Sequence, residues 1–309
     1  MVSVPGPQPP RRLVLAQQRQ APEWLAGLPA LAAEMLRRWG LTAEAVAEPG
    51  GRTSMTLLVR RGDDGSPAAL KLCAPQSPAA LEDAALRRWD GLAAVRSLRC
   101  APEEGALLLE RLRGEISLRS LPDAKAMLEA VSTVRRLWVD PGGEHPFPTV
   151  AERTGAQAAA MRAAAVAEPG IAPLVEEALA ARERMLGPAA APGEGREHLL
   201  LHGDFRQGAV LASDGGRAPW LAVGPEPVVG ERAYDLARLV RDRLHDLMAS
   251  AGAAAQTRRR VTRLSAAVEV DPERLRDWSV FRAVESAVRN AAAGHRADAE
   301  SLLEFATWL

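Results

Sequence analysis

The residues able to do chemistry concentrate between Leu199 and Asp235. His202-Gly203-Asp204 follows an apolar run, and a short polar turn leads on to Ala209-Val210-Leu211. A turn at Ser213-Asp214-Gly215-Gly216 and a second apolar run from Trp220 to Val223 complete what reads as a β-hairpin. Asp204 can act as a base toward a hydroxyl that comes within hydrogen-bond reach. His202 reads as a loop-structuring residue, bonded through its ring rather than serving as a general base. The second chemical group is Lys71, set in Ala-Ala-Leu-Lys-Leu. A lysine inside a short apolar strand must put its ammonium on a partner or in a polar cleft. Snorkelling from an edge strand is the plainer alternative.

The elements that must position these groups follow from periodicity. Leu25, Leu28, Leu31, Met35 and Leu36 recur at helical spacing over Pro22 to Trp39, and Gly40 stops the helix. Ala45 to Val59 reads as strand, turn at Pro49-Gly50-Gly51, and strand; Ala68 to Cys73 is the next strand and carries Lys71. The helix from Pro78 to Leu92 places Glu82, Leu86 and Trp89 on one face. Ala94 to Leu98 and Ala106 to Leu112 read as two more strands. Helices are expected over Leu118–Leu137, Ala151–Ala167, Ile171–Leu186, Tyr234–Met248, Val261–Val268, Pro272–Asn290 and Ala297–Leu309. Pro188 to Glu194 reads as an Ala/Pro/Gly linker, and His145, between loop prolines, is given no role.

An H-x-D just ahead of a hairpin is the catalytic-loop arrangement of protein kinase-like phosphotransferases. The wider chain resembles the aminoglycoside phosphotransferase family, in the branch of streptomycin 6-phosphotransferases and hydroxyurea phosphotransferases. That branch reads LLHGDLHPGNVL and PWLAIDPKPVVGDPAYDLA where this chain reads LLHGDFRQGAVL and PWLAVGPEPVVGERAYDLA. The resemblance runs from about Trp24 to the C-terminus. It implies an α+β, two-lobed protein kinase-like fold with an antiparallel-sheet N-lobe and a mainly helical C-lobe. The expected divisions are a flexible tail over 1–19, the N-lobe with its leading helix over 20–113, and the C-lobe with the catalytic-loop hairpin over 114–309.

The resemblance also implies roles. Asp204 takes the base position, Lys71 meets ATP phosphates, and Glu82 is its helix partner, with Asp83 one position round the helix as the alternative. Backbone groups near Glu110 to Leu112 would meet an adenine edge. Asp235 would stabilise the catalytic loop, although a carboxylate at a helix start is also favoured by the dipole alone. Four positions depart from the pattern: Arg206 for His, Ala209 for Asn, Gly224 for Asp and Glu226 for Lys. The Asn and the Asp are the expected Mg²⁺ ligands. Ala209 has no side-chain oxygen and Gly224 no side chain, whereas Mg²⁺ wants carboxylate oxygens. Glu226 is the best substitute, two residues on and beyond Pro225. Arg206 reads either as a phosphate-binding guanidinium in the space vacated at Gly224 or as a solvent-facing residue.

Composition narrows the classes. The chain has 309 residues, is 47% hydrophobic and has zero formal net charge. This suits a packed globular protein without a basic surface for nucleic acid. Cys73 and Cys100 form no CxxC pair. No apolar run reaches the ~18 residues of a membrane helix. The Pro-rich first residues lack a signal-peptide core, so the cytoplasm is expected. Two readings stay open. One is a pseudokinase or repurposed ligand-binding protein, tied to antibiotic resistance or secondary metabolism, with a small molecule in the cleft or a protein as partner. The other is an active ATP-dependent small-molecule O-phosphotransferase with an atypical metal site. ATP or another nucleotide is the expected cofactor, with Mg²⁺ weak or absent.

Overall fold

The structure is a computed structural model that describes residues 6–187 and 197–309. The predicted Pro188–Glu194 linker and the first five residues of the predicted tail lie outside the described residues. In chain order the elements are α1 (Arg11–Gln17), α2 (Pro22–Trp39), β1 (Leu41–Val46), β2 (Ser54–Arg61), β3 (Pro67–Cys73), α3 (Ala79–Trp89), β4 (Ser97–Ala101), β5 (Ala106–Glu110) and β6 (Arg113–Ser117). There follow α4 (Asp123–Leu137), α5 (Val150–Ala167), α6 (Ala172–Leu186), β7 (Leu199–Leu201), β8 (Val210–Ala212), β9 (Trp220–Ala222) and β10 (Val228–Gly230). The chain ends with α7 (Arg232–Val240), α8 (Leu244–Met248), α9 (Ala253–Val268), α10 (Pro272–Ala292) and α11 (Arg296–Thr307).

The chain divides into two units, Met1–Ser117 with Leu211–Glu226, and Leu118–Val210 with Pro227–Leu309. The first is built on a five-stranded antiparallel sheet in the order β1-β2-β3-β5-β4. Register is fixed by burial: Met55, Leu57 and Val59 of β2 and Leu70 and Leu72 of β3 are fully buried, so a one-residue slip would turn them to solvent. α2 covers one face with Leu28, Ala32 and Met35. Pro22 starts that helix, and Gly40 ends it at a left-handed φ of 62°, where a Cβ would be costly.

Residues 11–17 differ from the predicted flexible tail. They form α1, and its Leu13 is fully buried in the core. The catalytic-loop hairpin also differs from expectation, because it groups with the sheet unit rather than the helical one. β6 explains this: it pairs with β8, and β9 completes a three-stranded sheet. β9 is further tied to the chain after α3, where Val95 N donates to the Ala222 carbonyl and Ala222 N to that of Ala93.

The helical unit is centred on α10, whose Trp278 and Phe281 are fully buried. Trp278 meets Tyr234 of α7 edge-on at 5.1 Å. α5 begins in a reciprocal cap between Thr149 and Glu152. The single helix expected over Tyr234–Met248 is broken. Arg243 sits at φ 55° between α7 and α8. Its guanidinium donates to the carbonyls of Leu121 (2.7 Å) and Arg119 (3.2 Å) and to Gln207 Oε1 (2.7 Å). Those bonds hold a conformation that non-glycine residues seldom adopt.

Candidate functional site

The sheet unit holds the first constellation. β3 carries Lys71 and α3 carries Glu82; Lys71 Nζ meets Glu82 Oε2 at 2.5 Å, with the two side chains 14% and 6% exposed. Leu86 and Trp89 are buried on the same face of α3 as Glu82, which fixes the rotation of the helix. Asp83, the alternative partner, instead bonds Ser97 at 2.5 Å and Arg87 at 2.7 Å. Burial pushes the Lys71 ammonium down, but the Glu82 carboxylate, with Glu226, outweighs this and holds it above its ordinary value. Burial pushes the neighbouring Cys73 thiol up to about 12, so it is neutral at physiological pH. Glu82 Oε1 is buried without a hydrogen-bond partner among the described residues.

Gly224 closes this constellation. It adopts φ +63°, and a Cβ placed on it would stand 3.9 Å from Lys71 Nζ. A carboxylate at this position would therefore emerge beside the lysine, but glycine supplies none. Glu226 is exposed and acts on Lys71 through charge. Glu110 ends β5, and its carboxylate accepts from Arg217 Nη2 at 2.8 Å. Arg217 also donates to the Gly91 carbonyl at 2.7 Å, so it ties the hairpin to the end of β5. The Leu112 carbonyl accepts from Gly114 N at 3.0 Å.

The helical unit holds the second constellation. Asp235, fully buried at the start of α7, accepts from His202 N at 2.9 Å and Gly203 N at 2.7 Å. Trp138 Nε1 adds a third bond to the same carboxylate at 3.2 Å. Arg282 of α10 donates to the Gly203 carbonyl at 2.7 Å and lies 4.3 Å from the Tyr234 ring centroid. His202 is fully buried, and its Nδ1 accepts from Asp204 N at 3.3 Å. It is thus a structural member of the loop.

Asp204 is 17% exposed, and both its oxygens are engaged: Oδ1 with Arg238 Nη2 at 2.7 Å and Oδ2 with Arg206 Nε at 3.2 Å. Burial works against the carboxylate charge, yet Arg238, Arg206, Arg282 and His202 hold Asp204 well below the ordinary carboxylate range. Arg206 therefore pairs with Asp204 itself. Arg238 was not anticipated. Its position three residues after Asp235 places it on the same side of α7, a signal easily read as an ordinary surface charge. Ala209 is buried at the end of the loop and offers no oxygen.

Neither Ala209 nor Gly224 has a side-chain oxygen, so these two positions do not fit a Mg²⁺ site of the expected kind.

The family described as aminoglycoside/hydroxyurea antibiotic resistance kinase matches residues 38–294. The chain is 32% identical to a streptomycin 6-kinase of Streptomyces glaucescens over 267 residues, covering 86% of this chain and 83% of the relative. It is 34% identical to a hydroxyurea phosphotransferase of Kitasatospora aureofaciens over 270 residues, covering 85% and 73%. Among solved structures, a thermostable variant of aminoglycoside phosphotransferase APH(4)-Ia, in ternary complex with ADP and hygromycin B, is similar at a TM-score of 0.62. That match has 19% identity and covers 89% of this chain and 96% of that one. A Plasmodium vivax ethanolamine kinase is similar at a TM-score of 0.57 with 11% identity, covering 86% and 82%. The chain belongs to the aminoglycoside/hydroxyurea antibiotic resistance kinase family, and its fold is the α+β, kinase-like fold of these phosphotransferases. No described helix is long and apolar enough to cross a membrane.

Proposed function

We propose that this member of the family has lost Mg²⁺-dependent phosphoryl transfer and keeps the fold as a binding protein for a nucleotide and a small molecule. The observation that carries the reading is that both expected metal positions, Ala209 and Gly224, lack a side-chain oxygen. Phosphoryl transfer rests on positioning and charge neutralisation, and the metal normally supplies much of the latter. The state of Asp204 points the same way. A carboxylate bonded to two guanidinia and held below its ordinary range is a weak proton acceptor. The Lys71–Glu82 pair and the end of β5 support nucleotide binding, in line with the ADP complex of the APH(4)-Ia relative.

The experiment is transfer of the ATP γ-phosphate to streptomycin and to hydroxyurea, by wild type and by the double variant Ala209→Asn/Gly224→Asp. Each lost ligand is worth about 1.4 kcal/mol or more, a factor of about ten in rate each. Wild type is expected to sit at background and the double variant above it. Robust Mg²⁺-dependent turnover by wild type overturns the proposal. It would favour the second reading, an active O-phosphotransferase in which Glu226, whose charge already reaches Lys71, contributes to the metal site.

A further inference from the structure

The Asp204 end of the helical unit carries an excess of positive charge. Arg206 and Arg238 pair with Asp204. Arg282, 8% exposed, donates to the carbonyls of Tyr234 and Gly203. Arg241, also 8% exposed, donates to the Arg282 carbonyl at 3.1 Å and to Ser286 Oγ at 2.8 Å. Neither of these two buried guanidinia forms an ion pair with a carboxylate among the described residues. Arg289 adds a fifth cation, 3.4 Å from Glu285. Four carboxylates stand near them, Asp204, Asp235, Asp242 and Glu285; Asp235 is committed to the loop N–H groups and Asp242 to Gln207 N. Burial, together with Arg238 and Arg282, pushes Arg241 well below the ordinary arginine value, a further sign of uncompensated charge.

Buried guanidinia without full counter-charge cost stability, and their combined field favours an anion arriving from solvent. It also opposes the approach of a polycation to Asp204. Arg206, 45% exposed, is the group a ligand meets first. We propose that the ligand taken at the Asp204 loop is anionic, a small molecule bearing a phosphate or carboxylate held by Arg206 and Arg238, and that polycationic aminoglycosides are disfavoured there. This rests on the reading that the loop still binds a small molecule. It assigns that molecule a charge class different from that of streptomycin.

The test is calorimetric titration of the full chain with inorganic phosphate, with citrate and with streptomycin, at low and at moderate salt. Saturable binding of phosphate or citrate is expected, weakening several-fold as salt rises. Phosphate alone would indicate a phosphate ester, and both anions a broader oxyanion class. Arg206→Gln should weaken anion binding about tenfold, the loss of about 1.4 kcal/mol. Its unfolding midpoint checks that the fold survives. Asp204→Asn/Arg238→Gln, which removes the pair together, should weaken it as well. The proposal is overturned if neither anion saturates, if both variants bind as wild type (an adventitious ion only), or if streptomycin binds wild type more tightly than either anion. Turnover of Mg²⁺-ATP would sink the proposed loss of transfer and leave this titration unchanged, so the two failures are distinguishable.

Discussion

Replacing Lys71 by methionine isolates the structural worth of the ion pair that stands beside Gly224. The ammonium and the Glu82 carboxylate are 14% and 6% exposed, and Glu82 Oε1 already lacks a partner among the described residues. Removing one member strands a buried charge, which costs about 3–5 kcal/mol in comparable pairs. The carboxylate escapes that penalty by binding a proton. The folded variant then holds a proton that the unfolded chain releases, so the variant is penalised most at high pH and recovers as pH falls. We expect Lys71→Met to cost about 3 kcal/mol in urea unfolding at pH 7.5, and about 1–2 kcal/mol less at pH 5.5. Lys71→Met/Glu82→Gln should lie within about 1 kcal/mol of wild type, because both charges are gone. A single-variant cost below about 1 kcal/mol, or one that is equal at both pH values, would refute the reasoning. The expected outcome makes the pair structural in its own right: losing either half alone is costly.

Two further outcomes follow from ionisation. Asp204 is held below its ordinary 3.8, so it contributes stability above that value and loses it as pH falls toward the depressed value. Wild type should therefore lose stability between pH 5 and 2, by about 1 kcal/mol or more beyond Asp204→Asn, in acid-unfolding curves; parallel curves would contradict the ion-pair assignment. Burial raises Cys73 to about 12 and Cys100 to about 11. The native protein at pH 8 should react slowly with a thiol reagent, and both thiols should react at once in urea; fast labelling of the native chain would contradict their placement.

Much of the site was legible because its signals are local. Lys71 stands out in its apolar strand, the family resemblance then points to Glu82 over Asp83 as its partner, and the structure brings Lys71 and Glu82 together. The resemblance makes Asp235 a brace for the loop before it, where its place at a helix start gives only a dipole-favoured carboxylate, and it accepts both loop N–H groups. What escaped depends on partners distant in sequence. Arg238 looks like one more helix-face charge until α7 delivers it to Asp204. The break at Arg243 contains neither Gly nor Pro; it is held by carbonyls more than a hundred residues away. β6 reads Arg-Gly-Glu-Ile-Ser, without apolar alternation, and exists because β8 is there to pair with it. α1 hides behind four prolines, and the burial of Leu13 and of Gln17, which donates to the Arg52 carbonyl, shows that it is anchored.

The most direct test of the proposed loss of the metal grip is ATP affinity measured by calorimetry with and without Mg²⁺. With no side-chain oxygen at Ala209 or Gly224, the two affinities should agree within about threefold, under 1 kcal/mol. An affinity raised about tenfold or more by Mg²⁺ would show that the protein still holds the metal and would contradict the account.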